Sequence, residues 1–208
     1  MLHPPVTSWE EVPGYLLDLA HRDLSTGPDP LPSVVAFAGA EPLAIGVLRP
    51  FDQSGPVPAL VELLALLLPL GVDRLGLTLS GRAWSFDDPV PPVCEEGDLR
   101  QQVLLLVLAD ASSGPCTVHV ELRAIEPADQ AAPGWRLSAP LVADEVTEEV
   151  AEAPLAHALR VLLDHRDELE EEADDRALVG QLGRILLLGH ALALAPEPTE
   201  RLVRSSAA

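Results

Sequence analysis

The first 50 residues combine one amphipathic segment with two short apolar runs. An apolar stripe at helical spacing predicts a helix over residues 8–25, which Ser8 can cap. The breaker TGPDPLP follows it. The runs SVVAFAG (33–39) and PLAIGVLR (42–49) are separated by a short turn, so we predict a β-hairpin with strands buried on both faces.

The middle of the chain contains one apolar segment of helical length and then shorter runs. ALVELLALLLPLG (59–71) is apolar nearly all round, which predicts a well-covered helix that stops at Gly71. Alternation of leucine with small or polar residues predicts a strand with one inward face directly after it. The continuous apolar run in QQVLLLVLA predicts a central strand. The strands predicted in this part cover residues 74–86, 101–109, 116–125 and 134–142.

From Val146 onward the apolar positions recur at helical spacing. Two stripes predict a C-terminal pair of helices over 146–196, and 197–208 is expected to be a flexible tail. The first stripe is Leu155, Leu159, Leu162 and Leu163, with Arg166 on the same side, and the second is Leu178, Leu182, Ile185, Gly189 and Leu192.

The order of the predicted elements is helix, two strands, helix, four strands and two helices. Because strands and helices do not alternate strictly, the pattern favours an α+β fold. We expect a mixed, mostly antiparallel sheet of about six strands with flanking helices and a C-terminal helical hairpin. Residues 1–145 would form the core domain on which the helical pair packs, and the crossover from 49 to 74 should be right-handed.

The densest acidic run, HRDELEEEADD (165–175), lies between the two C-terminal stripes. A continuous helix over 154–195 would be about 63 Å long, against a diameter of roughly 43 Å for a globule of this size. Like charges four residues apart also disfavour a helix there. We therefore predict two antiparallel helices with this run at or next to their turn. A solvated turn is the favoured interpretation. The alternatives are a surface for an Arg/Lys-rich partner and, least favoured, a divalent-cation or catalytic carboxylate site.

The charge balance restricts the classes of partner. The chain of 208 residues has 33 acids against 13 bases and a net charge of −20, and it contains no lysine. Nucleic acid and anionic membrane surfaces require a basic face, so both are disfavoured as partners. Without lysine, P-loop, Schiff-base and kinase chemistry are excluded. A basic protein partner is compatible with this charge.

Targeting and metal signals are weak. The N-terminus has no signal-peptide pattern and the apolar runs are too short to span a bilayer, so a cytoplasmic protein with free Cys94 and Cys116 thiols is expected. Cys116 and His119 would point to opposite faces of one strand and could not share a metal ion. No metal or cofactor is expected.

One loop could form a ligand pocket. It follows the strand of 74–80 and brings Arg82, Trp84, Asp87 and Asp88 to one strand end, where they could bind a small polar ligand. The alternative is that the Trp packs on the core edge and the acids are solvated.

The order of elements over residues 10–125, which includes the Asp98–Arg100 element, is similar to the layout of JAB/MPN-type metalloprotease domains. Those domains carry H-x-H just after the strand that corresponds to 75–80. Here that place reads LSGRAW, without histidine. The resemblance therefore implies a related layout that lacks the metal site.

These observations favour a non-enzymatic protein that acts through protein association, with a second copy of itself as one candidate partner. The last helix is apolar beyond one stripe, which suggests a dimer seam formed by Ile185, Leu186, Leu188 and Leu192. The alternative function is that of a small-molecule-binding protein or hydrolase-like enzyme with its pocket near Trp84–Asp88.

Overall fold

A computed structural model describes residues 6–51, 55–83, 100–128, 134–141, 154–166, 168 and 175–206. This part of the chain contains five α-helices and seven strands, with short 3-10 turns at Trp9–Glu11 and Leu68–Leu70. In chain order the elements are α1 (Val12–Leu24), β1 (Ser33–Ala38), β2 (Glu41–Val47), α2 (Val57–Leu67), β3 (Arg74–Ala83), β4 (Gln101–Asp110), β5 (Thr117–Pro127), β6 (Trp135–Pro140), α3 (Pro154–Asp164), α4 (Asp175–Leu187), β7 (Ala191–Leu194) and α5 (Pro196–Ser206).

The seven strands form one sheet in the order β6-β5-β4-β3-β1-β2-β7. The predicted α+β class is confirmed. Every pairing among the described strands is antiparallel, so the sheet is not mixed. Strands β2 and β3 do run parallel to each other, because both pair antiparallel with β1. The crossover through α2 therefore joins two strands that are separated by β1.

The predicted hairpin of β1 and β2 is present. Ala38 pairs with Glu41, which leaves a turn of two residues. Gly39 has a φ of 60° in this turn, a left-handed conformation that glycine adopts without steric cost. The Asp73 carboxylate accepts hydrogen bonds of 3.1 Å from the Gly39 N–H and fixes the turn against the start of β3.

Strand β3 lies in the middle of the sheet and is buried on both faces, whereas the alternation predicted one inward face. Leu75 and Leu77 join the larger core under α2, while Gly76 and Thr78 lie beneath α1. A Cβ on Gly76 would come within 2.5 Å of the Val12 Cγ1 atom. Glycine thus lets α1 approach the sheet and cover the face that sequence alternation marked as exposed.

Helix α1 packs on one face of the sheet, and α2 and α3 pack on the other. The core on the α1 side includes Val12, Leu16, Val35, Phe37 and Leu106. The larger core on the α2 side includes Val34, Leu64, Leu67, Leu75, Leu77, Val107, Leu159 and Ile185. The buried apolar residues thus form two layers, one on each face of the sheet.

Helices α3 and α4 both pack against α2. Helix α3 ends at Asp164, and α4 begins at Asp175. Most of the acidic run falls outside the described residues, so the helical hairpin and its turn stay predictions. Asp164 connects α3 to the sheet, because its carboxylate accepts a 2.6 Å hydrogen bond from the Cys116 N–H.

The end of the described chain differs from the prediction. The second apolar stripe was expected to continue as helix to Leu192, but α4 ends at Leu187 and the chain returns to the sheet as β7. The residues expected to form a tail include α5, which runs from Pro196 to Ser206 and packs on α4. Leu202 of this helix is 3% exposed, so α5 buries an apolar side chain.

Candidate functional site

The loop predicted as a ligand pocket lies mostly outside the described residues. Trp84, Asp87 and Asp88 belong to that part, which begins where β3 ends. Arg82 is exposed near the end of β3, opposite Gln102 of β4. A small-molecule site at this loop therefore stays a prediction.

The residues predicted as a partner interface fall into two groups. Leu186 is 51% exposed and Leu188 is 40% exposed. Ile185, in contrast, is fully buried in the larger core, so its side chain does not belong to the surface. Leu192 is half-buried and packs against the same core. The interface prediction thus needs correction at Ile185, because that residue faces α2 and the sheet.

The predicted interface did not include Leu187, which is the most exposed leucine of the described residues. Leu187 is 90% exposed, between the two exposed leucines that the sequence did indicate. We name Leu186, Leu187, Leu188 and strand β7 the C-terminal apolar surface. The run ILLLG contained the signal: only one residue in three or four can face a core from a helix, so consecutive leucines must include exposed ones.

A helix stop brings these leucines next to the sheet edge. Gly189 has a φ of 96°, its N–H donates to the Leu186 carbonyl at 3.1 Å, and the His190 N–H donates to the Ile185 carbonyl at 3.2 Å. This pair of bonds is the Schellman motif, in which a left-handed glycine ends a helix. The chain therefore reverses within two residues, and β7 begins beside the exposed end of α4.

Strand β7 is an edge strand of the sheet. It pairs with β2, and no described strand pairs with its other side. Because the Ala195 N–H donates to the Leu43 carbonyl, the alternation of an antiparallel ladder turns the backbone groups of Leu192 and Leu194 away from β2. Edge strands are usually protected by charges, proline or bulges. The stretch from Ile185 to Ala195 contains no acid, arginine or proline.

A polar network of the buried His190 with the half-buried Arg49 and Glu62 fixes β7 on the sheet. Arg49, which follows β2, donates two hydrogen bonds of 2.7 and 2.8 Å to the Glu62 carboxylate on α2. His190 Nε2 lies 3.1 Å from the same carboxylate, and the Arg49 backbone N–H lies 3.3 Å from His190 Nδ1. Since Nδ1 accepts from that N–H, Nε2 carries the proton and donates to Glu62.

This network resembles a catalytic pair in composition only. The His190 side chain is 0% exposed, so no substrate can contact the imidazole. The hydrogen bonds from Arg49 hold the pKa of Glu62 at about 2, which keeps the carboxylate ionised and removes it as a proton acceptor near neutrality. The role of this network is structural, because it connects α2, the end of β2 and the start of β7.

A second polar cluster lies where β3 begins and β4 ends. Arg74 Nη2 donates to Ser112 Oγ at 2.8 Å, and the Ser112 hydroxyl donates to Asp110 at 2.6 Å. The Arg74 guanidinium also lies 5.9 Å from the Trp9 ring centre. Cys116 is nearby, but burial raises the pKa of its thiol to about 11, so it is not a nucleophile. The cluster ties strand ends together.

A cleft of about 530 Å³ lies at the hairpin end of the sheet. Its walls come from the β1–β2 hairpin, from Leu70 and from the start of α5. Two carboxylates, Glu41 and Glu197, line it together with apolar and proline side chains. Nothing in the sequence indicated this site, since its residues come from distant segments.

Metal and membrane signals are absent from the described segments. No group of three or more His, Cys, Asp or Glu side chains there could hold a metal ion. None of the helices that can be described is long and apolar enough to cross a bilayer.

Comparisons with known proteins give no relative: no family model, no curated protein and no solved structure matches this chain.

Proposed function

We propose that the protein acts through protein association and that it forms a homodimer through the C-terminal apolar surface. The observation that supports this proposal is the exposure of three consecutive leucines, 90% at Leu187, beside an unprotected edge strand. Fully burying one leucine contributes about 2 kcal/mol, so this surface offers a strong apolar contribution to association.

The edge strand determines the geometry of the proposed dimer. The Leu194 carbonyl already accepts a hydrogen bond from the Thr199 hydroxyl at 3.4 Å, so the outward backbone groups of Leu192 carry the proposed pairing. A second β7 in antiparallel orientation provides the same groups about a two-fold axis. Such pairing would join the two sheets edge to edge. The leucines at the end of α4 would then meet their counterparts across the axis.

The distribution of charge favours a second copy as the occupant. A protein of net charge −20 repels itself wherever acids face acids. The segment from Ile185 to Ala195 has no charged side chain, so two copies can approach there without like charges in contact. In a two-fold symmetric interface the same surface of both copies is in contact, so this surface must be complementary to itself.

The test is a measurement of molar mass by light scattering across micromolar concentrations. The unmodified protein should give twice its 22.1 kDa chain mass. Leu187→Asp should give the monomer mass with an unchanged far-UV circular dichroism spectrum. The reason is that this side chain is 90% exposed in the single chain, so a charge there disrupts only the contact between copies.

Leu31→Asp is the matched control, because Leu31 is 56% exposed and lies in the segment before β1. It should leave the dimer intact. A monomer at every concentration for the unmodified, folded protein would contradict the proposal. Equal loss of dimer in both variants would also contradict it, since the contact would then not be located at Leu187.

A further inference from the structure

The cleft at the hairpin end of the sheet has the size of a ligand site. Its volume of about 530 Å³ falls within the range of 300–1,000 Å³ that is typical of such sites. Leu43, which is 8% exposed, and Leu70 give it an apolar floor. Pro42, Pro196 and Pro198 add rigid walls that lose little entropy when a ligand binds.

The charged groups of the cleft come from two elements. Glu41 is the first residue of β2, and Glu197 lies in the first turn of α5. Both are exposed and line the cleft. An apolar floor below two carboxylates suits a ligand with an aliphatic stem and a cationic head.

An anion is a poor match for the same cleft, although a helix begins there. The N-terminus of a helix attracts anions through its free backbone N–H groups. Pro196 and Pro198 have no N–H, and the Thr199 N–H already donates to the Ala195 carbonyl at 3.2 Å. The start of α5 is thus left with few donors, while Glu197 adds negative charge.

The wall that carries Glu41 is fixed before any ligand arrives. The bifurcated hydrogen bond from the Gly39 N–H to both oxygens of the Asp73 carboxylate holds the two-residue turn in one position. The backbone on either side of this turn is paired at Ala38 and Glu41. A rigid wall reduces the entropy lost on binding and increases affinity.

We propose that this cleft binds an arginine side chain carried by an exposed segment of a basic partner protein. The guanidinium would pair with Glu41 and Glu197, and the methylene stem would lie on Leu43 and Leu70. The net charge of −20 supports a macromolecular source, because it attracts a basic protein over long distances and raises its association rate.

The experiment titrates fluorescently labelled peptides against the whole 208-residue chain at physiological salt. One peptide carries a central arginine among neutral residues, and its partner carries citrulline, which has the same shape without the charge. The arginine peptide should bind at least tenfold more tightly than the citrulline peptide. The double variant Glu41→Gln/Glu197→Gln should lose about tenfold in affinity, since two charged hydrogen bonds are removed.

Asp18→Asn/Glu168→Gln is the matched control, because it removes the same net charge outside the cleft. Asp18 is exposed on α1, and the Glu168 side chain is 79% exposed. This control should bind as the unmodified protein does. Equal weakening in both double variants would overturn the proposal in favour of binding by overall charge alone.

Two further results would also overturn it. Equal affinity for the arginine and citrulline peptides would show that the positive charge of the guanidinium does not contribute to binding. Binding of N-acetylarginine amide as tight as that of the peptide would indicate a free small molecule instead of a partner segment. The cleft does not depend on the proposed dimer, so Leu187→Asp should keep its affinity for the arginine peptide.

Discussion

A single buried imidazole connects three segments that are distant in the sequence. The ring of His190 accepts from the backbone after β2 and donates to Glu62 on α2, while its own backbone leads into β7. Buried polar groups must find partners, because an unsatisfied one costs about 1–3 kcal/mol. The network therefore specifies where β7 lies as well as stabilising it.

Acid should weaken this network. The pKa of Glu62 is lowered from 4.5 to about 2, mainly by its hydrogen bonds to Arg49. A carboxyl group with a lowered folded pKa contributes stability that is present above pH 4.5 and is lost as the pH falls towards 2. We expect Glu62→Gln to cost about 2 kcal/mol at neutral pH and to reduce the loss of stability in acid. Urea unfolding at a series of pH values measures both effects.

Glu126→Gln is the control for that prediction. Glu126 pairs with Arg136 at 3.2 Å, and both side chains are exposed, at 41% and 55%. A solvent-exposed ion pair contributes roughly 0–1 kcal/mol, so this variant should follow the unmodified protein closely. An unchanged acid profile for Glu62→Gln would show that the Arg49–Glu62–His190 network does not control acid stability.

Strand β7 shows why one element was not predicted. Its four residues, ALAL, directly follow the apolar run that ends α4. Hydrophobic periodicity therefore did not distinguish a short strand here from a continuation of the helix. Gly189 was the only local signal, and it was counted as a member of the helical stripe. The strand is recognised only through the open side of β2 and through the partners of His190, which are properties of the tertiary structure.

The docking of β7 depends on one glycine of its neighbour. A Cβ on Gly46 would lie 2.4 Å from the Ala191 carbonyl oxygen, which no side chain tolerates. We expect Gly46→Ala to cost about 1–3 kcal/mol and to release β7 before the rest of the sheet unfolds. Hydrogen exchange should be faster at the amides of β7 and β2, while those of β4 stay protected.

Gly183→Ala tests whether any alanine in this region has the same effect. Nothing lies within 4 Å of a Cβ at this helical position, so the substitution should stabilise α4 slightly. Normal protection of β7 in Gly46→Ala would contradict the close approach of the two strands.

The elements that were predicted well are those with strong local signals. The β1–β2 hairpin is marked by Gly39, and α2 is marked by a long apolar run that stops at Gly71 in a left-handed conformation. Strand β5 also follows its alternation, with buried Val120 and exposed His119 on opposite faces. Burial of the second face of β3 was not predicted, because the helix that covers this face, α1, is distant from β3 in the sequence.

At the scale of the whole molecule the net charge of −20 acts against compactness. Self-repulsion is screened by salt, since the Debye length falls from about 30 Å at 0.01 M to about 10 Å at 0.1 M. We expect the melting temperature to rise by a few degrees over that range at pH 7. Scanning calorimetry at several salt concentrations measures it, and the rise should shrink at a pH near the pI of 4.4. A fall with added salt would instead indicate that ion pairs dominate.

The candidate sites differ in how far the sequence could predict them. Exposed leucines at 186 and 188 follow from helix periodicity, because a helix with leucine on several sides must leave some of them uncovered. The cleft cannot be predicted in this way. Glu41 and Glu197 are far apart in the sequence, and they line one cleft because β7 returns to pair with β2.

That return has a consequence for biosynthesis. The partner of β2 on its outer side is the last strand of the described chain, so β2 is translated long before β7 leaves the ribosome. Throughout that interval the nascent chain presents an open strand edge, to which another β-strand can add. Each newly made molecule closes that edge only after its own β7 has been translated.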